Sequence, residues 1–395
     1  MKPRSLFFAI AAVMLVWLGS LLSARVEAWS GPAPGTTKGA QVVAQVPLPL
    51  VIARQGSFVV GGRTATLSGQ PDPTANGDYG VEGTYVQFQV PQPQRYAYPL
   101  IMVHGNASTG AVWESTPDGR EGWQTMFLRR GAPVYVPDLV SRGRAGWARP
   151  EIWSFDTVAY PTMQTAWASF RIGPPAGYAT DPAARQPFPG TQFPVASFDG
   201  FSRTLVPSWG RTHARLLLQP AVRQVVEAVG QSILVTHSQS GPFGWHTGAA
   251  RADLVKAIVA VEPGREQSGT PLTDAEIAAL ARMPILILYG DFITGNAQWT
   301  FNRAENQAIA DKISAAGGDV TFVDLPGIGI TGNTHFAMYD QTSGVVAELV
   351  HCWLVSKDLA TGECLAPDAL RAAAHHGAGA QAGEKRAFGP RTGVT

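Results

Sequence analysis

The 395-residue chain carries 30 basic and 29 acidic side chains, and 45% of its residues are hydrophobic. A chain of this length and apolar content can bury one large core or two smaller ones. No basic run is interleaved with aromatic residues, so the composition argues against nucleic acid as a partner.

The N-terminus has the features of a secretory signal. Met1-Lys-Pro-Arg4 precedes an uncharged apolar run over residues 6–22, and Val26-Glu27-Ala28 matches a small-x-small cleavage pattern. We therefore expect residues 1–28 to be a signal peptide and the mature chain to be secreted or periplasmic, with no membrane span. Because the apolar run is at the short limit for a membrane helix, an uncleaved anchor is the alternative.

The next segments predict a linker followed by a mostly parallel sheet. Residues 29–50 are rich in Pro, Gly, Ala and Thr and lack apolar periodicity, as linkers do. Residues 58–60 and 84–90 alternate like half-buried antiparallel strands. Six later runs are apolar throughout, which is typical of parallel strands buried on both faces: residues 99–103, 133–136, 233–235, 257–261, 284–289 and 320–323.

Amphipathic or Ala-rich segments accompany these runs and predict helices over residues 220–229, 274–282, 302–316 and 344–357. Alternation of strands and helices is the pattern of an α/β fold, which we expect to span residues 51–364. One gap in this pattern, about residues 147–218, is crowded with Pro, Gly and aromatic residues and predicts an inserted lid. Its many aromatic side chains argue against the alternative of a solvated, disordered loop.

The C-terminal part contains the only two cysteines, Cys352 and Cys364. In an oxidising compartment this pair predicts one disulfide bond that closes the end of a C-terminal helix. Residues 365–395 are rich in Gly and Ala and predict a flexible tail, in which the adjacent His375 and His376 are expected to be solvated and not to bind a metal.

A strand running into Thr236-His237-Ser238-Gln239-Ser240-Gly241 has the pattern of a nucleophilic serine on a strand-to-helix turn. Small residues two positions before and after the nucleophile allow the strand and helix to approach, and the N–H that follows the serine points at the developing oxyanion. Ser238 fits with Thr236 and Ser240 as the small neighbours. Ser240 as nucleophile, or a serine that merely caps a helix, are the alternatives.

From about residue 80 to 360 the chain resembles the α/β-hydrolase superfamily, and in particular secreted bacterial serine esterases and lipases whose triad acid follows the sixth strand. His104-Gly105-Asn106-Ala107 is similar to the family's His-Gly turn. This resemblance implies an oxyanion hole formed by the backbone N–H groups of Asn106 and Gln239. His335, in a Gly-rich loop before the last helix, takes the place of the general base.

Two residues compete for the acid that orients this histidine. Glu262 ends an otherwise apolar strand at the edge where such sheets bind ligands, and a carboxylate buried there needs a partner such as an imidazole N–H. Asp291 follows the next strand but lies two residues before the position that the Gly-x-x-Asp pattern gives to the acid. We therefore expect Glu262 to be the acid and keep Asp291 as the alternative.

The predicted function is that of a serine carboxylic-ester hydrolase that acts on a neutral hydrophobic ester or lactone through a Ser-His-Glu triad and an acyl-enzyme. No cofactor or metal is expected, and a small-molecule ester is the expected partner. The alternatives are an acyltransferase with the same triad and a non-catalytic binding protein on the hydrolase fold. Dehalogenase or epoxide hydrolase chemistry would need an aspartate in place of Ser238. The sequence leaves the oligomeric state open, a homodimer included.

Overall fold

The computed structural model describes residues 49–154, 156–266 and 271–379. The predicted signal peptide, nearly all of the predicted linker and the last residues of the predicted tail lie outside these ranges. Within them, no helix combines the length and the apolarity that a membrane crossing requires.

The ten strands of the described residues form two sheets. In chain order they are β1 (Ile52–Leu67), β2 (Gly77–Pro91), β3 (Leu100–Val103), β4 (Val134–Asp138), β5 (Val158–Ala159), β6 (Ser208–Trp209), β7 (Ser232–His237), β8 (Val255–Val261), β9 (Ile285–Tyr289) and β10 (Val320–Asp324). The central sheet has eight strands in the order β1-β2-β4-β3-β7-β8-β9-β10, and β5 pairs with β6 separately. The β1–β2 and β2–β4 pairs are antiparallel and the other pairs of the central sheet are parallel. This arrangement confirms the predicted fold class.

The helices flank the sheet and fill the segments between its strands. They are α1 (Trp123–Arg129), α2 (Met163–Ser169), α3 (Phe198–Ser202), α4 (Arg211–His213), α5 (Gln219–Val229), α6 (Ser240–Ala250), α7 (Asp274–Leu280), α8 (Ala297–Ala315), α9 (Ser343–Ser356) and α10 (Pro367–Gly379). The helices predicted from the sequence correspond to α5, α7, α8 and α9, with ends that differ by a few residues.

Both faces of the sheet are covered, and this explains why the central positions of its inner strands are apolar. Successive side chains of a strand point to opposite faces. In β3, Leu100 and Met102 belong to one buried cluster, whereas Ile101 and Val103 belong to the other. A polar residue within such a strand would enter one of two cores, so polar residues appear only where the strands end.

Residues 147–218, called the insertion below, lie between β4 and α5 and contain β5, β6 and α2 to α4. Large aromatic side chains of the insertion are buried: Trp153, Trp167, Phe193, Phe198 and Phe201. Their rings pack edge to face against one another and against Phe336 of the main body. The described part of the insertion therefore has a packed interior, and its action as a lid stays a prediction.

The C-terminal end departs from the sequence-based expectation. The predicted flexible tail begins at residue 365, but Pro367–Gly379 forms the helix α10. Alanine is the strongest helix former and proline is favoured in the first turn of a helix, so this composition suits a helix as well as a solvated chain. Leu370 and Ala374 are buried, which supplies the packing that an isolated tail would lack.

The predicted disulfide bond is not formed in this structure, in which Cys352 and Cys364 are free. The two thiols are nonetheless neighbours. Burial, the Cys364 thiol and the nearby Glu348 carboxylate all raise the pKa of Cys352, whose Sγ lies 3.5 Å from Glu348 Oε1. The pairing of these cysteines stays a prediction.

Candidate active site

Ser238 lies on the turn that joins β7 to α6. Its φ of +55° is in the left-handed region, which a non-glycine residue adopts only when its surroundings hold it there. Three backbone hydrogen bonds do so: Ser238 N donates to Val261 O at 3.2 Å, and Ser238 O accepts from Gly241 N at 2.9 Å and Gly264 N at 2.7 Å. A serine on such a strained strand-to-helix turn is presented away from the sheet, as a nucleophile requires.

Glycines make this turn possible by close approach. A Cβ on Gly105 would lie 2.8 Å from Ser238 Cβ and 2.9 Å from His237 Nδ1. A Cβ on Gly241 would lie 2.5 Å from Pro263 Cβ. The turn thus packs tightly against the loops that follow both neighbouring strands.

Ser240, the alternative nucleophile, is fully buried and its hydroxyl is engaged by the backbone. Its Oγ accepts from His237 N at 2.9 Å and lies 3.0 Å from both Val103 O and His237 O, to which it can donate. Ser238, in contrast, is only partly buried and lines an open cleft. The hydroxyl of Ser240 therefore has a structural role.

Glu262 follows β8 and is almost completely buried, with 1% of its surface exposed. Its Oε1 accepts hydrogen bonds from Arg171 Nη2 at 2.6 Å and from Gly290 N at 2.5 Å. Its Oε2 faces His335 Nδ1 at 3.4 Å. The structure thus brings together Glu262 and His335, the acid and the base predicted from the sequence. It also places Arg171 beside them, which the sequence did not predict.

His335 is buried among aromatic rings. The Trp299 ring centroid lies 4.1 Å from that of the imidazole, and the Phe170 ring stacks on it at 5.7 Å. The backbone N–H of His335 donates to Phe170 O at 3.0 Å, and its carbonyl lies 2.9 Å from His237 Nε2. Among the described residues, no hydrogen bond joins His335 to Ser238 Oγ. Trp299 packs on His335 and lines the same cleft as Ser238, so the imidazole lies beside that cleft.

The charges at this pair are set by opposing effects. Burial alone would raise the pKa of Glu262, but the Arg171 guanidinium and the hydrogen bond to His335 outweigh it and lower this pKa to about 2. Burial lowers the pKa of His335 to about 4, with Glu262 acting in the opposite direction. Near neutral pH the pair therefore consists of an ionised carboxylate and a neutral imidazole, the state in which a general base is ready to act.

Asp291, the alternative acid, is directed elsewhere. Its Oδ1 accepts from Phe292 N at 2.8 Å and its Oδ2 from Gly332 N at 3.0 Å. Its backbone N–H also donates to Asn333 O at 2.7 Å. Asp291 thus braces the loop that carries His335 and makes no contact with the imidazole among the described hydrogen bonds.

The two predicted oxyanion-hole residues lie on the same cleft as Ser238. The backbone N–H groups of Asn106 and Gln239 are not engaged by any other described residue. The side chain of Asn106 is held by the buried Arg142, whose Nη2 donates to Asn106 Oδ1 at 3.1 Å. The ring of His104 is engaged by the backbone on both sides, because Nδ1 lies 2.9 Å from Gly105 O and Nε2 accepts from Leu139 N at 3.2 Å.

The cleft has a volume of ≈ 520 Å³ and a mostly polar wall. Besides Asn106, Ser238 and Gln239, it is lined by Gly264, Ala297 and Trp299 and by five further side chains: Arg211, Arg265, Gln298, Phe301 and Asn302. Over the described residues, no group of three or more His, Cys, Asp or Glu side chains is arranged to hold a metal ion.

Sequence reasoning missed three residues of this site. Arg171 contacts Glu262, Trp299 contacts His335, and Arg142 holds the side chain of Asn106. One signal was available, since a carboxylate buried at the end of an apolar strand calls for a cation as well as an imidazole. Nothing in the local pattern, however, pointed to an arginine 91 residues away in the sequence.

Comparisons with known proteins find a similar lipase and a similar esterase. No protein-family model matches the chain. A probable secreted lipase, phiG, of Fungal sp. (strain ATCC 74256) is 28% identical over 332 residues, which are 68% of this chain and 85% of the lipase. A bacterial esterase whose structure was solved at atomic resolution is 32% identical with a TM-score of 0.68, and the match covers 83% of this chain and 100% of the esterase.

We expect Gly105→Ala to disturb the turn, because the added Cβ would lie 2.8 Å from Ser238 Cβ. Overpacking of this kind costs about 1 to 3 kcal/mol of unfolding free energy, and a displacement of about 1 Å at the nucleophile costs on the order of 100-fold in rate. Urea unfolding and ester hydrolysis measure the two effects. Gly146→Ala is the matched control, because no atom lies within 4 Å of its added Cβ. Equal stability and activity of the two variants would contradict the close approach.

Proposed function

Because the chain belongs to the α/β-hydrolase superfamily and is a hydrolase of the esterase and lipase type, we propose that it cleaves carboxylic esters with Ser238 as nucleophile, His335 as general base and Glu262 as the acid. The observation that carries this proposal is the buried contact of Glu262 with His335 beside the cleft that Ser238 lines. A buried carboxylate that faces Nδ1 fixes the tautomer in which Nε2 is free to accept a proton.

In the first half of the reaction Ser238 Oγ attacks the ester carbonyl carbon while His335 takes the hydroxyl proton. The tetrahedral intermediate then expels the alcohol, which receives that proton from His335, and an acyl-enzyme remains. Glu262 stays ionised and stabilises the imidazolium that forms between the two proton transfers. In free enzymes such proton-transfer contacts are often long and shorten when substrate binds.

In the second half a water molecule attacks the acyl-enzyme. His335 removes a proton from the water and returns it to Ser238 Oγ as the acid product leaves, which restores the enzyme. The oxyanion of each intermediate would accept hydrogen bonds from the N–H groups of Asn106 and Gln239. Loss of one such donor in comparable sites costs about 3 kcal/mol, so these amides contribute on the scale of the acid itself.

The wall of the cleft bears on the substrate. A neutral hydrophobic ester or lactone, as predicted from the sequence, would find Trp299 and Phe301 but also two arginines, Arg211 and Arg265. Guanidinium groups favour carboxylates as partners. We therefore propose that the enzyme accepts esters with a polar or negatively charged substituent more readily than fully apolar ones.

Secretion is part of the same proposal. It is supported by the signal-like N-terminus and by the similarity to a lipase that is named as secreted. A secreted ester hydrolase would meet its substrates outside the cytoplasm, where no cofactor need be supplied.

We expect a fluorophosphonate probe to label the purified protein at Ser238. Ser238→Ala abolishes labelling because the nucleophilic oxygen is removed. Ser240→Ala is the matched control and keeps labelling, because its hydroxyl is buried against the backbone. Mass spectrometry of the labelled peptide identifies the site. Labelling that survives in Ser238→Ala would contradict Ser238 as the nucleophile. Absence of labelling from the unaltered protein would contradict the proposal as a whole and favour the binding-protein alternative.

The pH profile of kcat/KM follows from the state of His335. We expect kcat/KM to be constant through the mildly acidic range and to fall as the pH decreases through about 4, because protonation of the imidazole removes the base. Samples held at each pH and returned to neutral pH separate this loss from unfolding. A limb near 6.5, the value of an unperturbed histidine, would contradict the assignment.

Matched substrates test the charge preference. p-Nitrophenyl hemisuccinate and p-nitrophenyl butyrate differ in one terminal carboxylate, and we expect the ratio of their kcat/KM values to fall about fivefold when Arg211 and Arg265 are both changed to Ala. High salt should reduce the effect. Arg215→Ala is the control, since this exposed arginine does not line the cleft. An unchanged ratio in the double variant would contradict the charge preference and favour a neutral hydrophobic ester or lactone as substrate.

A further inference from the structure

Three consecutive residues at the end of α2 connect the insertion to the candidate active site. Ser169 O accepts from Trp299 Nε1 at 2.6 Å, and Phe170 O accepts from His335 N at 3.0 Å. Arg171 donates from Nε to Asp291 O at 2.8 Å and from Nη2 to Glu262 Oε1 at 2.6 Å. This short segment therefore bonds to α8 and to the loops that follow β8 and β9. It also bonds to the loop of residues 329–342 that carries His335, called the histidine loop below.

We propose that Arg171 is a positioning residue for the catalytic pair: it holds one oxygen of Glu262 so that the other faces His335, and it thereby ties the protonation of the imidazole to the insertion. The proposal rests on the function proposed above and extends it to a residue outside the triad.

The geometry of the carboxylate supports this role. Arg171 and Gly290 N share Oε1, which leaves Oε2 for His335. A carboxylate whose first oxygen is fixed by two short hydrogen bonds cannot rotate freely, so the direction of the second oxygen is also fixed. The guanidinium is itself held, because its plane lies over the Trp299 ring at 5.0 Å and its side chain is fully buried.

The backbone of Arg171 shows that the segment is constrained. Its φ is +58°, a left-handed value that costs on the order of 1 kcal/mol or more for a residue of this size. The end of α2 itself holds this conformation, because Ile172 N donates to Trp167 O at 3.0 Å and Arg171 N to Ala168 O at 3.2 Å, the two bonds that close a helix through a left-handed residue. This helix end fixes the backbone from which the Arg171 side chain reaches Glu262 and Asp291.

Other titratable groups surround the pair, and the experiment must separate them from Arg171. From β7, His237 packs on His335 with ring centroids 4.6 Å apart, and burial holds its pKa well below the ordinary value. From β9, Tyr289 is near enough to Glu262 for the carboxylate to help raise its pKa. In the histidine loop, burial raises the pKa of Asp340 to about 7. In the loop after β9, the backbone carbonyl of Asp291 accepts a hydrogen bond from Arg171.

The first experiment compares the acid limb of kcat/KM in the full chain, Arg171→Met and Arg171→Lys. Arg171 and burial both lower the pKa of His335, so removal of the positive charge should raise the limb by about 1 pH unit. Lysine keeps the charge but cannot bind Glu262 Oε1 and Asp291 O together. We expect Arg171→Lys to keep the wild-type limb and to lose about tenfold in kcat.

Arg185→Met is the matched control. Arg185 is another nearly buried arginine of the insertion, paired with Asp199 at 2.6 Å and packed over Phe198, but it touches neither Glu262 nor His335. We expect this variant to lower the stability of the insertion without moving the acid limb. A limb that moves equally in Arg185→Met and Arg171→Met would overturn the proposal.

A second measurement is a double-mutant cycle with Glu262→Gln. In Glu262→Gln the pair no longer carries a buried negative charge, and adding Arg171→Met should then change kcat/KM less than about twofold, whereas in the native background the same change should cost about tenfold or more. Where Arg171→Met does not fold with Glu262 left unpaired, Arg171→Lys takes its place in both backgrounds with the same two expectations. Additive losses, or a wild-type limb in Arg171→Met, would overturn the role of Arg171. Full activity in Ser238→Ala would instead overturn the proposed function.

Discussion

A carboxylate buried at the end of a parallel strand is the constraint on which the arrangement of this molecule depends. Glu262 directly follows β8, whose last five residues are apolar and buried, and is itself 1% exposed. An ionised group in such surroundings costs several kcal/mol unless cations and donors compensate it. Arg171, Gly290 and His335 do so, and they come from the insertion, from the loop after β9 and from the histidine loop. One charge therefore fixes the relative positions of three segments that are distant in sequence.

The backbone bears the cost of this convergence at three points. Ser238, Glu262 and Arg171 all have left-handed φ values. Ser238 and Glu262 directly follow β7 and β8, and Arg171 lies two residues after the end of α2. Conformations of this kind are retained only where neighbouring bonds determine them. Ser238 N and Glu262 N donate to Val261 O and Leu288 O of the adjacent strands, so the sheet itself holds two of the three residues. The third is held by the end of α2, where Ile172 N donates to Trp167 O and Arg171 N to Ala168 O.

Local patterns of the sequence predicted those features that depend on residues close together in the chain. Continuous apolar runs identified the inner strands, and a polar residue ending such a run identified Glu262, which the structure sets against His335. Composition is ambiguous at the C-terminus, because an Ala-rich segment suits a solvated chain as well as a helix, and here it forms α10 with Leu370 and Ala374 buried. Arg171 could not be found in this way. Its partner lies 91 residues away, and the long-range pairing of a buried charge leaves no periodic signal in either segment.

The same contacts limit how the insertion can move. Lifting residues 169–171 would break the bonds to Trp299, His335, Asp291 and Glu262 together, and would leave a buried carboxylate without its cation. Removal of one partner of such a pair costs about 3 to 5 kcal/mol, which corresponds to a population of the open form below about 1%. We therefore expect any motion of the insertion to be confined to parts away from this segment. The insertion thus contributes Arg211 to the wall of the cleft and Arg171 to the charge balance of Glu262 and His335.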